Sequence, residues 1–319
     1  MTTASLAAGG ALLAFGPAGA LLLVLVSHKA NLVIVVTTSA FAYLCSAVVS
    51  ALLWLPVPEA LRGNPYAIIF PSVAVQFFFR AGYVWLYHRI EDTVEKSIER
   101  HSVARARGQT RRQQQHGGPS DQSDDSENDP ARLRLELNDW SSGLAAGCGF
   151  GGMHAALLYG TLLASEVGNL GTLYQPSCDI MPSLVNAAVV AALFSICDCL
   201  WMLLTFFGMR RRRDKRDRLG AGFGAGADAL AAPYHISNDR WGGGMALVLV
   251  ALSHAGASLC TVPNSVANGC VVALPCLGGV TALTGAFFWI AISGHYLPPA
   301  QTTRVGGRIT ANGSARYED

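Results

Sequence analysis

Charge is what this sequence has least of. Only 14% of its 319 residues are Asp, Glu, Lys or Arg, where soluble domains carry roughly 25%. A chain so short of charge cannot cover a compact globule with hydrated side chains, which excludes an ordinary water-soluble domain. Motifs that carry chemistry are missing too. There is no phosphate loop, no HExxH and no CxxC, so nothing supports nucleotide hydrolysis or a zinc site. The eight cysteines follow no framework spacing, although Cys260 and Cys270 flank one short connection and are candidates for a disulfide. An aspartyl protease of the membrane needs two facing carboxylates, and Asp198 is the one acid inside the apolar runs. Ser253 and His254 are adjacent and point to different faces of a helix. Neither a catalytic residue nor a metal or cofactor is expected.

What the chain does have is apolar length. Its mean hydropathy is +0.34, and runs long enough to cross a bilayer fall at about 4–26, 31–55, 66–88, 143–164, 183–208, 243–262 and 268–293. The first resembles a signal peptide at GPAGA, but no basic residue precedes it and it is too long. An all-α integral membrane protein with seven transmembrane helices is expected, over residues 1–298.

The scarce basic residues are sharply placed. Of 23, 21 follow the first, third, fifth and seventh runs, while the other connections hold only Arg62. By the positive-inside rule the odd connections are cytosolic. The N-terminus is then lumenal or extracellular and the C-terminus cytosolic. RRRRDKRDR at 210–218 reads as a topology anchor rather than a nucleic-acid or anionic-lipid patch. Stretches 101–130 and 214–232 are polar or Gly/Ala-rich and read as disordered cytosolic linkers. Residues 299–319 form a tail, in which the sequon at Asn312 would lie in the cytosol.

Two patterns stand out inside the runs. The fourth holds five glycines in GLAAGCGFGGMHA, of which Gly143, Gly147 and Gly151 lie four apart, with Ala155 next in step. In lipid, helices associate through close packing, and small residues at this spacing let another backbone approach. The strip fits either a partner protein's helix or a neighbour in the same chain. The second pattern is polar. Gln76 and Arg80 share a face of the third helix, Asp198 lies mid-depth on the fifth and His254 on the sixth. Such groups are costly in a membrane and need partners. Asp198 and His254 are expected to pair, with Arg80 competing for Asp198. His154 reads as a packing residue. Interhelical glue is the favoured role, with a small transporter or seven-helix receptor using Arg80, Asp198 and His254 as the alternative.

Several strings, AFGPAGALL at 14–22, QFFFR at 76–80, GLAAGCGFG at 143–151 and SHAGASL at 253–259, occur in the order and helices of one family. Together they resemble the anterior pharynx-defective family, the Aph subunit of gamma-secretase. The resemblance implies a non-catalytic scaffold that binds presenilin-, nicastrin- and presenilin-enhancer-like subunits in the bilayer. It also implies a place in Notch signaling and residence in the endoplasmic reticulum, Golgi and plasma membrane. The family's glycine hallmark corresponds to Gly143, Gly147 and Gly151, and its helix-six histidine to His254. This chain departs from the family at Asp198, which stands where the family has a helix-five histidine, and at Phe77, where relatives carry a glutamate.

Overall fold

The computed structural model describes residues 3–27, 29–115, 139–168, 177–220, 242–293, 304–305 and 308–309. Helices dominate it. α1 (Thr3–Leu21) continues through a π turn at Leu22–Val26, and α2 spans Ala30–Trp54. After the short α3 (Glu59–Arg62) comes α4 (Pro65–Gln115). α5 (Asp139–Ala155) runs by a π turn at Ala156–Gly160 into α6 (Thr161–Gly168). α7 (Ser183–Gly220), α8 (Gly242–Cys260) and α9 (Cys270–Ser293) complete the bundle. Two-residue strands, β1 (Arg304–Val305) and β2 (Arg308–Ile309), pair antiparallel in the tail.

Among the described residues, 6 helical segments are long and apolar enough to cross a membrane: Ser5–Val26, Ala30–Trp54, Pro65–Val94, Ser183–Arg212, Gly243–Ser265 and Cys270–Ile290. The glycine-rich fourth run does not meet that measure. Its glycines dilute its hydropathy, and α5 itself ends after 17 residues. Packing explains how such a helix is tolerated. α5 lies against α7, α2 and α1, and its residues from 145 to 151 are all buried. A helix clad in protein needs less apolar surface than one facing lipid.

α7 is the axis of the bundle, touching α1, α4, α5, α8 and α9. Within the apolar part of this helix 67% of the residues are buried, against 17–28% in the other candidate spans. Both α4 and α7 run past their apolar parts. α4 remains helical to Gln115, inside the 101–130 stretch, and α7 to Gly220, inside 214–232. The remainder of those stretches, and Asn312, lie outside the described residues.

The disulfide differs from the expected pair. Cys270 bonds Cys178, in the connection before α7, and Cys260 is free. Adjacency in sequence suggested Cys260, but α9 begins on Cys270 beside that earlier connection. The Cys270 amide donates to the Ser177 carbonyl at 3.0 Å, which places the two sulfurs together. The turn leading into α9 uses Asn268 at φ 56°, a left-handed conformation that asparagine adopts more readily than most residues. Its side-chain amide faces the Asp179 carboxylate.

Candidate functional site

The glycine strip of α5 is covered by this chain's own α7. A Cβ at Gly147 would sit 2.5 Å from the Cys199 Cα, and one at Gly151 2.7 Å from the Ser195 carbonyl oxygen. At Gly143 the nearest atom would be Leu203 Cδ2 at 3.0 Å. Two of the three contacts are therefore to backbone, which cannot rotate aside. Ala155 ends the strip in a cluster with Ala14, Tyr159, Ala188 and Ala191. Of the two occupants open to the strip, the neighbour in the same chain is the one seated on it. Gly149 points elsewhere, where a Cβ would run into Ser39 and the Val36 carbonyl of α2. The glycines thus let α5 be gripped from two sides.

That close approach sets the polar centre. α7 carries Asp198, with 0% side-chain exposure, directly behind the strip. Arg80 reaches it from α4, also at 0% exposure, and donates from Nη2 to Asp198 Oδ1. His154 of α5 donates from Nδ1 to Asp198 Oδ2 at 2.7 Å. Arg80 Nη1 donates to His254 Nδ1 of α8 at 3.1 Å. An arginine N–H only donates, so the His254 ring accepts at Nδ1 and keeps its proton on Nε2. One guanidinium and one carboxylate thereby join α4, α5, α7 and α8.

Aromatic rings close the centre. The Arg80 guanidinium lies 4.9 Å from the Trp201 ring and 5.4 Å from that of Phe150. Trp201 stands 4.4 Å from His254 and donates to Ser253 Oγ at 2.8 Å. Tyr43 of α2 stacks on His154 at 5.0 Å. Gln76, one turn before Arg80, faces Tyr43, while its Oε1 is buried without a partner among the described residues.

Two expectations change here. Asp198 and His254 do not pair directly, because Arg80 stands between them and its fork satisfies both. His154 is more than a packing residue, since it holds the second carboxylate oxygen. A signal for this was present. His154 is seven residues after Gly147, two turns on, so it shares the face that α7 covers.

A second ionic group lies near the basic end of the bundle. Arg210 of α7 donates to both Glu91 oxygens of α4, at 2.9 and 2.7 Å, and to both Asp139 oxygens of α5, at 2.7 and 2.6 Å. His88 Nε2 is 3.9 Å from Asp139 Oδ1. His88, Glu91 and Asp139 have metal-ligand proximity, within 4.8 Å of one another, but both carboxylates already hold Arg210. Arg211 lies 4.8 Å over the Phe207 ring, and the stem of Arg212 lies against Gly243. The start of the arginine run is therefore engaged in helix packing. Sequence reading missed this because acidic partners on two other helices are invisible in a local run.

A protease dyad holds one proton between two carboxylates, whereas Asp198 meets a permanent cation. What the centre can do is fix four helices in one register.

Comparison with known proteins places the chain in a family. The family model described as Aph-1 protein matches residues 6–295. This chain belongs to the Aph-1 family. A curated relative from Arabidopsis thaliana, named gamma-secretase subunit APH1-like, is 26% identical over 281 residues, covering 86% of this chain and 88% of the relative. The family match takes in every helix of the polar centre, together with both polar insertions. In this member of the family, Arg80, His154, Asp198 and His254 form one hydrogen-bonded group.

Proposed function

We propose that this chain is the non-catalytic scaffold subunit of a gamma-secretase-type intramembrane protease complex. Its partners on this reading are presenilin-like, nicastrin-like and presenilin-enhancer-like subunits, and the peptide-bond chemistry belongs to the presenilin-like one. The single observation that carries the reading is Asp198, fully buried and tied by Arg80 and His154 across helices. A carboxylate held in this way is structural. Family membership and the name of the Arabidopsis relative point the same way.

The glycine strip supports assembly from within. Gly143, Gly147 and Gly151 bring α7 against α5, which sets the bundle whose outer faces meet partners and lipid. α5 with α6 counts as a membrane crossing, which gives seven. The N-terminus is lumenal and the C-terminus cytosolic, in endoplasmic reticulum, Golgi and plasma membranes. The Cys178–Cys270 bond supports this orientation, because disulfides persist in oxidising compartments and this one lies at the end opposite Arg210.

The test is a mild-detergent pull-down of the tagged full chain from its native membranes, with partners identified by mass spectrometry. Co-recovery of a protein with two membrane aspartates is expected, and Gly147→Leu should abolish it while the chain still inserts. A wild-type chain recovered alone and stable would overturn the scaffold reading.

A further inference from the structure

Where α2 ends and α4 begins, the two helices part around a groove of about 200 Å³. Ser50, Leu53 and Trp54 of α2 form one wall, and Ile68, Pro71 and Ser72 of α4 form the other. Pro71 has no N–H for the Ala67 carbonyl, so it interrupts the helical ladder at that wall. Ser50 Oγ is buried and has no hydrogen-bond partner among the described residues. At the mouth stands Arg62 of α3. Its Nε donates to the carbonyl of Val57, itself a lining residue, at 3.0 Å, and its Nη2 to the Leu55 carbonyl at 3.2 Å. These bonds hold an exposed cation at the edge of an apolar groove, and an arginine has further N–H donors to offer.

We propose that this groove holds one glycerophospholipid of the surrounding bilayer. Its phosphate rests on Arg62, and an acyl chain runs against Leu53, Ile68 and Pro71. The Ser50 hydroxyl turns about χ1 and donates to an ester carbonyl of the lipid. Each level of the site matches one part of that molecule. Arginine meets phosphate through charge-assisted bonds in a fork. Ser50 lies about 7.5 Å deeper along α2 than Leu55, at 1.5 Å per residue, a drop that a glycerol unit spans. The apolar walls then take the chain.

The depth is right for a headgroup. Arg62 lies between the apolar spans Ala30–Trp54 and Pro65–Val94, which puts it at the membrane interface. The groove is about 30 Å along α4 from Glu91, at 1.5 Å per residue, so it sits at the bundle end opposite the Arg210 clamp. A sterol would bring a single hydroxyl and leave the cation unanswered. Water alone finds few partners between Leu53, Trp54, Ile68 and Pro71. Bound there, the lipid bridges α2 and α4 at the end where α3 connects them. Such binding requires only that the chain sits in a bilayer, and on the orientation given above the leaflet is the lumenal one.

The probe is phosphatidylcholine with a diazirine on one acyl chain, added to the full chain in mild detergent. After detergent exchange and illumination, native mass spectrometry counts the retained lipid and peptide mapping locates the cross-links. One lipid per chain is expected, cross-linked within 50–57 or 67–72 and displaced by excess unlabelled phosphatidylcholine but not by cholesterol. Arg62→Gln should lower retention roughly tenfold, as for the loss of a charge-assisted hydrogen bond. Arg62→Lys, which keeps the charge, should restore most of it. Ala67→Trp should fill the groove and remove the cross-links, with gel filtration and an intact Cys178–Cys270 bond showing that each variant is folded. No retained lipid in the wild-type chain, cross-links scattered over other helices, displacement by cholesterol, or retention unchanged in Arg62→Gln or in Ala67→Trp overturns the site. Neither partner subunits nor orientation enters this result, so its failure leaves the scaffold reading standing.

Discussion

Arg80 and Arg210 perform similar geometric tasks in different media. Each reaches from one helix to polar groups on others, and each meets a carboxylate on a neighbour. Arg80 does so with no exposed side-chain surface on either side of the pair. Arg210 keeps 26% of its side chain exposed, with Glu91 and Asp139 at 24% and 31%. The lesson is that similar contact lists carry unequal energy. Around Arg80 a lost partner leaves a charge with no water to take its place, whereas around Arg210 water and salt can substitute.

The largest expected effect is at the buried end of this comparison. Asp198→Ala should destabilise the chain by about 3–5 kcal/mol, because it strands the Arg80 guanidinium among Trp201, Phe150 and His254. SDS-titrated unfolding in mixed micelles, which follows the folded fraction, measures it. A loss below 1 kcal/mol would break the contrast with Arg210.

Removing both charges sharpens the point. The double variant Arg80→Leu with Asp198→Leu should be less destabilised than Asp198→Ala alone, since the main cost is an uncompensated charge rather than a missing bond. The same titration in a double-mutant cycle reads the coupling, and additive losses would show that the two residues do not act as a pair.

Gly147→Leu should come next for the isolated chain. Its side chain meets the Cys199 backbone, so α5 and α7 must part, at a cost of about 1–3 kcal/mol for overpacking. Because Asp198 lies on the helix that moves, His154 and Arg80 lose their alignment too. A smaller loss in an Asp198→Ala background than in wild type would reveal this link.

The smallest effect is expected at the partly buried clamp of Arg210. Arg210→Ala should cost no more than about 1 kcal/mol, and the difference from wild type should shrink between 0.1 and 1 M salt, where the Debye length falls from about 10 to 3 Å. Stability measured at both salt concentrations checks it. A salt-independent loss as large as that of Asp198→Ala would erase the distinction between the two sites.

Particular residues show where sequence reading reached and where it stopped. Arg80, Asp198 and His254 were legible as residues needing partners, because ionisable groups are rare in apolar runs and expensive there. Their pairing was not legible, since it depends on which side chain inserts between which others. The strip of Gly143, Gly147 and Gly151 announced a close helix approach but not the identity of the helix. His154 could have been placed from its step along the same face. Glu91 and Asp139 could not have been matched to Arg210, as each sits on a different helix far away in sequence.

The sequence by itself determined that this chain lives in a membrane, where its long apolar runs lie, which ends carry positive charge, and that it belongs with the Aph-1 proteins. Those properties are local or additive: apolar length sets bilayer crossing, and charge placement sets orientation. Only the tertiary structure decided that α7 is the axis, that it covers the glycines of α5, that Arg80 divides its fork between Asp198 and His254, and that Cys270 bonds Cys178. Those are contacts between residues remote in the chain, fixed by how the helices pack against one another. In a bilayer, where apolar surface does not distinguish a helix from lipid, shape and polar satisfaction decide that packing.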